Sequence, residues 1–471
     1  MIERTLDVSN LENPILEFDS TTHIATDPIH GLSNWGPHEY PDLNEIRVYA
    51  VCAPKFQDNL EEFWDGIING FNTDVFVEFP GFSEVFGIPI TKFVSIINPD
   101  KKSGGITTRY SSAVRDIPSD CDIAVIVLPY DNPIEARDVY NEVKAASFSR
   151  KPKLKTQCIR KITLAKLEGI KYETYDHTIK KTRSEHSINL WNFATAVFTK
   201  VGGVPWKLKD DMSEVGCFVG MVTNTKLIDE RRYIKDKMGI CEVADSWGTH
   251  VMWVKEALPS MQPTSEEGLK VIDIDPNDVS RLVDSVLDRY CRTTLGVDYD
   301  KKIKTIKNKI VCFHVRDVFS KKVLDAMEEA IDGFGFRRYQ IIRIEPAASV
   351  RIYDKGSADN IPLRGLYWKE NDLSAILYTH GRRQYRRGIV RSTHSIHKFD
   401  RVTPIGVNII RENKGLSIEK VLQYIMNLTG LCWYTTDMEI KMPVTLKIAR
   451  RISELWKRGV LSDFQDIRYV L

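Results

Sequence analysis

Between Asp122 and Pro129 the chain reads DIAVIVLP, an apolar run too short for a membrane span and too continuous for a strand with one wet face. A strand of this kind has both faces of its sheet covered, which calls for a parallel or mixed sheet with helices packed against it. A helix is expected next. Pro133 suits its first turn, where the missing N–H costs nothing, and Ala136, Val139, Tyr140, Val143 and Lys144 recur at helical spacing. Further apolar segments at 217–222, 310–315, 339–344, 375–379 and 404–410 read as strands. Two helices close the pattern. Ser417 caps the first, with Glu419 in its opening turn and Ile418, Val421, Leu422, Ile425 and Met426 as its buried stripe. Pro443 opens the second, with Val444, Leu446, Ile448, Ala449 and Ile452 facing inward. The expected class is therefore α/β, in two domains that part near Gly202-Gly203.

A formal net charge of only +2 on 471 residues conceals a segregation of charge. The first fifty residues are acidic, whereas Arg150 to Lys166 contains Lys and Arg but no acid. A second basic cluster gathers Arg382, Arg383, Arg386, Arg387 and Arg391. Such runs are usually solvated faces, and they become backbone tracks when a site for nucleic acid lies nearby. The eight cysteines are scattered, with no zinc or redox spacing among them, and the acidic start has no apolar leader core. The expectation is a cytoplasmic chain.

Three segments carry residues suited to an anion: Tyr140-Asn-Glu-Val-Lys144, Thr156-Gln157-Cys158 and Lys200-Val-Gly-Gly203. Tyr140 and Lys144 are four apart, so a helix projects a hydroxyl and an ammonium from one face. That pair alone is common on surface helices. Gln157 adds an amide donor inside the basic stretch, and Lys200 precedes two glycines that would let backbone approach a ligand closely. Together the four side chains could surround a terminal phosphate.

The segments YNEVK, TQC and KVGGVPWKL, in this order, resemble the MID domain of Argonaute and Piwi proteins. From Gly216 onward, LYTHG at 377–381, QYIMNLTGLCW at 423–433 and MPVTLKIA at 442–449 resemble the PIWI domain. The resemblance implies a Rossmann-like MID domain over 45–203, an RNase H-like PIWI domain over 204–471, and a segment 1–44 that packs with PIWI. It assigns the 5′ phosphate of a guide strand to Tyr140, Lys144, Gln157 and Lys200. At Ala196, four residues before Lys200, many family members instead have a polar or basic residue. The carboxylate of Leu471 would help to hold a Mg²⁺ ion beside that phosphate.

Cleavage in this fold needs clustered carboxylates around two metal ions. The resemblance puts the ligand positions at Val222, Arg316 and Arg450, although a shift of one residue would place Asp317 at the second. A hydrophobe and two guanidinium groups repel divalent cations rather than hold them. LEF at 16–18, the turns from Asp27 to Pro37 and FPGF at 79–82 resemble the opening of short prokaryotic Argonautes. That branch implies an inactive carrier of a 5′-phosphorylated guide RNA that recognises single-stranded target DNA. Its partner would be an APAZ-bearing effector of TIR, sirtuin-like or nuclease type, in a heterodimer serving antiviral or anti-plasmid defence. A metal-dependent guided nuclease and a scaffold with a vestigial pocket are the alternatives.

Overall fold

The computed structural model describes residues 8–19, 23–72, 78–130, 132–164, 178–229, 234–266, 269–296, 304, 307–348, 350–356, 360–385, 388–390, 402–436, 440–460 and 468. Contacts divide the chain into two compact units. One comprises Leu16–Lys207, Trp433–Asp437 and Arg458–Leu471; the other comprises Met1–Ile15, Leu208–Cys432 and Met438–Lys457.

The first unit is built on a parallel sheet of four strands, β1 (Val48–Val51), β2 (Ser95–Ile97), β3 (Ile123–Leu128) and β4 (Thr156–Arg160), in the order β2-β1-β3-β4. The DIAVIVLP run is β3, an inner strand buried at every position and paired in parallel with both β1 and β4. Helices α1 (Ile106–Arg115) and α2 (Pro133–Ser149) cover one side, with Tyr110, Val114, Val139 and Val143 packed against Ala124 and Ile126. Asn132 caps α2 by accepting from the Ile134 amide at 2.9 Å, and Pro133 follows in the first turn. Helix α3 (Thr178–Val201) also contacts β3 and buries Leu190, Trp191, Ala194 and Val197.

The stretch 16–44, expected with the second domain, is counted with this unit. Within it the Phe18 ring lies 6.3 Å from Trp35, and 6.4 Å from Trp206 at the start of the range 204–471. It also fills the space where Gly31 has no Cβ. Glu39 and Val204 exchange backbone hydrogen bonds, each 2.9 Å.

The second unit holds a nine-stranded mixed sheet. From one edge it runs Ser9–Asn10, then Leu366–Asn371, Ser374–Leu377, Ile405–Asn413, Tyr339–Glu345, β5 (Ile310–Val315), β6 (Val215–Asp229), β7 (Ile234–Asp245) and finally β8 (His250–Ala257). The strand β5 pairs in parallel with both its neighbours, and the other pairings are antiparallel. All five strands read from the sequence are present. The hairpin β7–β8 was not read, because charged residues interrupt its apolar pattern.

Alternation along β5 and β6 decides what each face meets. Cys217, Val219, Met221, Val311, Phe313 and Val315 share a core with helices Pro276–Leu295 and Lys321–Phe334. Gly220 and His314, paired in register, take the other face, against helix α4 (Val444–Lys457). A Cβ on Gly220 would stand 2.4 Å from the Thr445 carbonyl carbon, so this glycine lets helix and strand meet backbone to backbone. Thr445 Oγ1 lies 3.0 Å from His314 Nδ1. Ser417 caps the preceding helix, Ile418–Thr429, as expected, and all five residues of its predicted stripe are buried. Among the described residues no helix is long and apolar enough to cross a membrane.

Candidate nucleic-acid interface

Tyr140, Lys144, Gln157 and Lys200 meet in the first unit. Helix α2 carries Lys144 on the same stripe as Val139 and Val143, so the packing that docks the helix draws its aliphatic stem inward and leads the ammonium to the start of β4. There Nζ of Lys144 donates to the Thr156 carbonyl at 3.3 Å. Lys200, in the last turn of α3, donates to that same carbonyl at 2.8 Å and to Oε1 of Gln157 at 2.7 Å. The Tyr140 ring centroid is 5.7 Å from Nζ of Lys144.

Lys144 and Lys200 are 1% and 2% exposed. Burying an ammonium is costly unless it is partnered, and two of them converging on one carbonyl repel each other. An anion seated beside them would be stabilised by both charges, while the Gln157 amide nitrogen donates to the Cys158 carbonyl at 3.4 Å.

Two nearby arginines escaped the sequence reading. Arg458 Nη1 donates to Asn141 Oδ1 at 3.1 Å, beside Tyr140, and a Cβ on Gly202 would lie 3.3 Å from Nη1 of Arg468. Their distance along the chain hid them, since no spacing rule links them to the YNEVK helix. The glycines have a different role from the one expected. Gly202 takes φ +117°, and the place of a Gly203 Cβ is filled by the Phe198 ring, so the pair turns the chain out of α3. Ala196 is buried at 4% exposure. Leu471, proposed as a metal ligand, lies outside the described residues.

Val222, Arg316 and Arg450 line one cleft of about 400 Å³ in the second unit. Met221 pairs with Val315 across β6 and β5, which brings the next residue of each strand to the same mouth, and α4 supplies Arg450. Arg316 and Arg450 are exposed, and Val222 is 8% exposed. Lys441 and Lys447 join the lining and were not singled out from sequence. Asp317 lines the cleft too, but one of its oxygens accepts from the Thr223 amide at 3.1 Å and the Thr223 hydroxyl at 2.7 Å.

Neither a family model nor a curated protein sequence matches the chain. Solved structures do. Clostridium butyricum Argonaute, bound to a guide DNA and a 19-mer target DNA, superposes with a TM-score of 0.66 at 18% identity over 99% of this chain and 55% of its own. Aquifex aeolicus Argonaute gives 0.64 at 17% over 100% and 56%, and Drosophila Piwi 0.63 at 15% over 98% and 56%. The fold is that of Argonaute proteins. The chain spans little more than half the length of these Argonaute and Piwi chains, and its two units match their MID–PIWI architecture.

The Argonaute fold frames the cleft chemically. Val222, Arg316 and Arg450 offer a divalent ion no side-chain oxygen, and two of the three are positively charged. Asp317 keeps one oxygen outside its Thr223 bonds and Glu454 stands by Arg450, so the described lining offers fewer carboxylates than a two-metal centre uses. The residues present do not fit that metal pair.

The basic cluster divides differently. Arg382 is turned inward, donating to the Ile361 carbonyl at 2.7 Å and pairing with Asp354, so it braces its own loop rather than facing a ligand. Arg383 belongs to the strand Arg383–Tyr385, while its side chain and all of Arg386, Arg387 and Arg391 lie outside the described residues.

Proposed function

We propose that this chain is a guide carrier of the short prokaryotic Argonaute type. The phosphate-binding constellation holds the 5′ end of a guide strand, and the guide's bases select the target by pairing. The observation that carries this reading is the convergence of Lys144 and Lys200 on the Thr156 carbonyl, with Gln157 bonded to Lys200. Clostridium butyricum Argonaute, similar along nearly this whole chain, holds a guide and a target DNA. The guide here is RNA and the target single-stranded DNA, with a Mg²⁺ ion beside the guide's terminal phosphate. Direct binding of 5′-phosphorylated and 5′-hydroxyl oligonucleotides tests the reading. A marked preference for the phosphate that Lys144→Ala removes is expected, and indifference to the phosphate would leave only a scaffold.

The chain does not cut its target. Loss of oxygen ligands at Val222, Arg316 and Arg450 supports this, and so do the positive charges that replace two of them. Output therefore comes from a partner, an APAZ-bearing effector of TIR, sirtuin-like or nuclease type that a guide–target pair switches on in a prokaryotic cytoplasm during defence. Copurification of an effector with guide-loaded protein, and its activation by complementary single-stranded DNA, is the test. The guided-nuclease alternative has, among the described residues, Asp317 and Glu454 as the carboxylates on the cleft lining, and it requires Mg²⁺- or Mn²⁺-dependent cleavage by the purified chain.

A further inference from the structure

The cleft that lacks metal ligands is not featureless. Among the described residues, Arg316, Lys441, Lys447 and Arg450 put four cationic side chains on its lining against two acidic ones, Asp317 and Glu454. Both acids are engaged within the protein: Asp317 by Thr223, and Glu454 by Arg450, whose Nε stands 3.9 Å away. Among the described residues Arg316 has neither a hydrogen-bond nor an ion-pair partner, and its guanidinium is exposed at the mouth. Lys441 is crowded. Burial, and then the positive charge of Arg351, push its pKa below the ordinary lysine value, so its protonated form gains from any anion that enters.

The rest of the lining narrows the ligand. A volume of about 400 Å³ lies in the range of small-molecule sites, large enough for a short stretch of sugar–phosphate backbone. Pro346, Ile440, Met442 and Val222 give an apolar wall against which a sugar can rest, and among the described residues no aromatic one lines the cleft to stack a base. Asn224 contributes an amide already fixed by the Ser453 hydroxyl at 2.7 Å. Cations without stacking partners read backbone and not sequence.

We infer that this cleft is a metal-independent clamp for the phosphodiester backbone of a nucleic-acid strand, with Arg316, Lys441 and Arg450 as its phosphate contacts. The inference rests on the reading of the chain as a guided nucleic-acid binder, and it gives the charge inversion at the former metal positions a use. A strand that would be cut by metals is gripped by side chains instead, which lengthens its residence on the protein.

The test uses full-length protein loaded with a 5′-phosphorylated guide, and a complementary single-stranded DNA target. Neutral methylphosphonate linkages are walked one at a time along the target, with Mg²⁺ and again in EDTA, the guide being labelled so that its retention is read in both. Wild-type protein should lose affinity at one or two adjacent linkages and nowhere else, and that loss should vanish in Arg316→Ala/Arg450→Ala. The slope of log Kd against log salt for the target should fall by about one for each cation removed. Arg316→Lys/Arg450→Lys should restore the slope, separating charge from packing. A loss spread evenly over all linkages, or one that disappears in EDTA, overturns the clamp. So does an Ala variant that behaves as wild type while guide binding keeps its phosphate preference. If guide binding is instead indifferent to the 5′ phosphate, yet the Ala variant still binds strands with the shallower salt slope, the guided reading fails and the clamp stands.

Discussion

Lys144 and Lys200, contributed by two different helices, donate to a single oxygen, the carbonyl of Thr156, at 3.3 and 2.8 Å. A helix stripe and a helix end are thereby tied to the first residue of a strand, and the three elements are positioned by one another.

Replacing either lysine by methionine keeps most of the packed stem and removes the charge. Hydrogen bonds to charged groups are worth about 1.5–3 kcal/mol, so each variant should bind a 5′-phosphorylated guide roughly tenfold to a hundredfold more weakly. A 5′-hydroxyl guide should be little affected. Equilibrium titration with labelled oligonucleotides reads the difference, and equal losses for both ends would dissociate these residues from the phosphate.

Gly220→Ala should destabilise the second unit. Its new methyl would stand 2.5 Å from the Thr445 carbonyl oxygen and 2.8 Å from the Leu446 nitrogen, both backbone atoms that no rotamer change can move aside. Overpacking of this kind costs about 1–3 kcal/mol or more, visible as a lower urea midpoint at unchanged m-value.

Acid should weaken the fold partly through His314. Burial lowers its pKa to about 3, so the folded protein keeps it neutral while the unfolded chain protonates it below about 6.5. Between those values the unfolded state binds the extra proton, and stability falls as pH drops, by up to about 1.4 kcal/mol per pH unit from this one group. Above pH 6.5 the contribution is complete and constant. Denaturant midpoints from pH 7 to pH 4 for wild type and His314→Gln should diverge in slope, with the variant the flatter; parallel curves would refute the assignment.

Carboxylates restored at the cleft should restore metal binding. Val222→Asp/Arg316→Asp/Arg450→Asp removes two positive charges and adds three ligands, so calorimetry should detect a saturable Mn²⁺ site that the parent chain lacks. Metal-dependent cleavage by the parent would contradict the inactive reading instead.

Much of this arrangement is legible in the sequence because burial leaves a periodic trace. The β3 run, the stripe of α2 and the Ser417 cap are local patterns, and each appears in the structure where it was expected. The hairpin β7–β8 left no such trace. Its buried Glu242 is partnered by His250 at 2.9 Å, a polar pair in a position where pattern rules look for a hydrophobe. Helical spacing linked Tyr140 to Lys144, but only resemblance tied them firmly to Gln157 and Lys200, since nothing local links a lysine on α2 to one at the end of α3. Arg458, Arg468, Lys441 and Lys447 were missed for the same physical reason: their roles depend on chain crossings that no window of sequence contains. The stretch 16–44 packs through one aromatic contact, Phe18 on Trp206, that no window of sequence contains.

The bare contact at Gly220 has a mechanical meaning. Helix α4 rests directly on strand β6 with no side chain to act as a cushion, so the helix cannot rock without dragging the strand along. Arg450, farther along that helix, inherits its placement from the sheet itself, and the charge it brings to the cleft is delivered from a rigid mount rather than from a swinging arm.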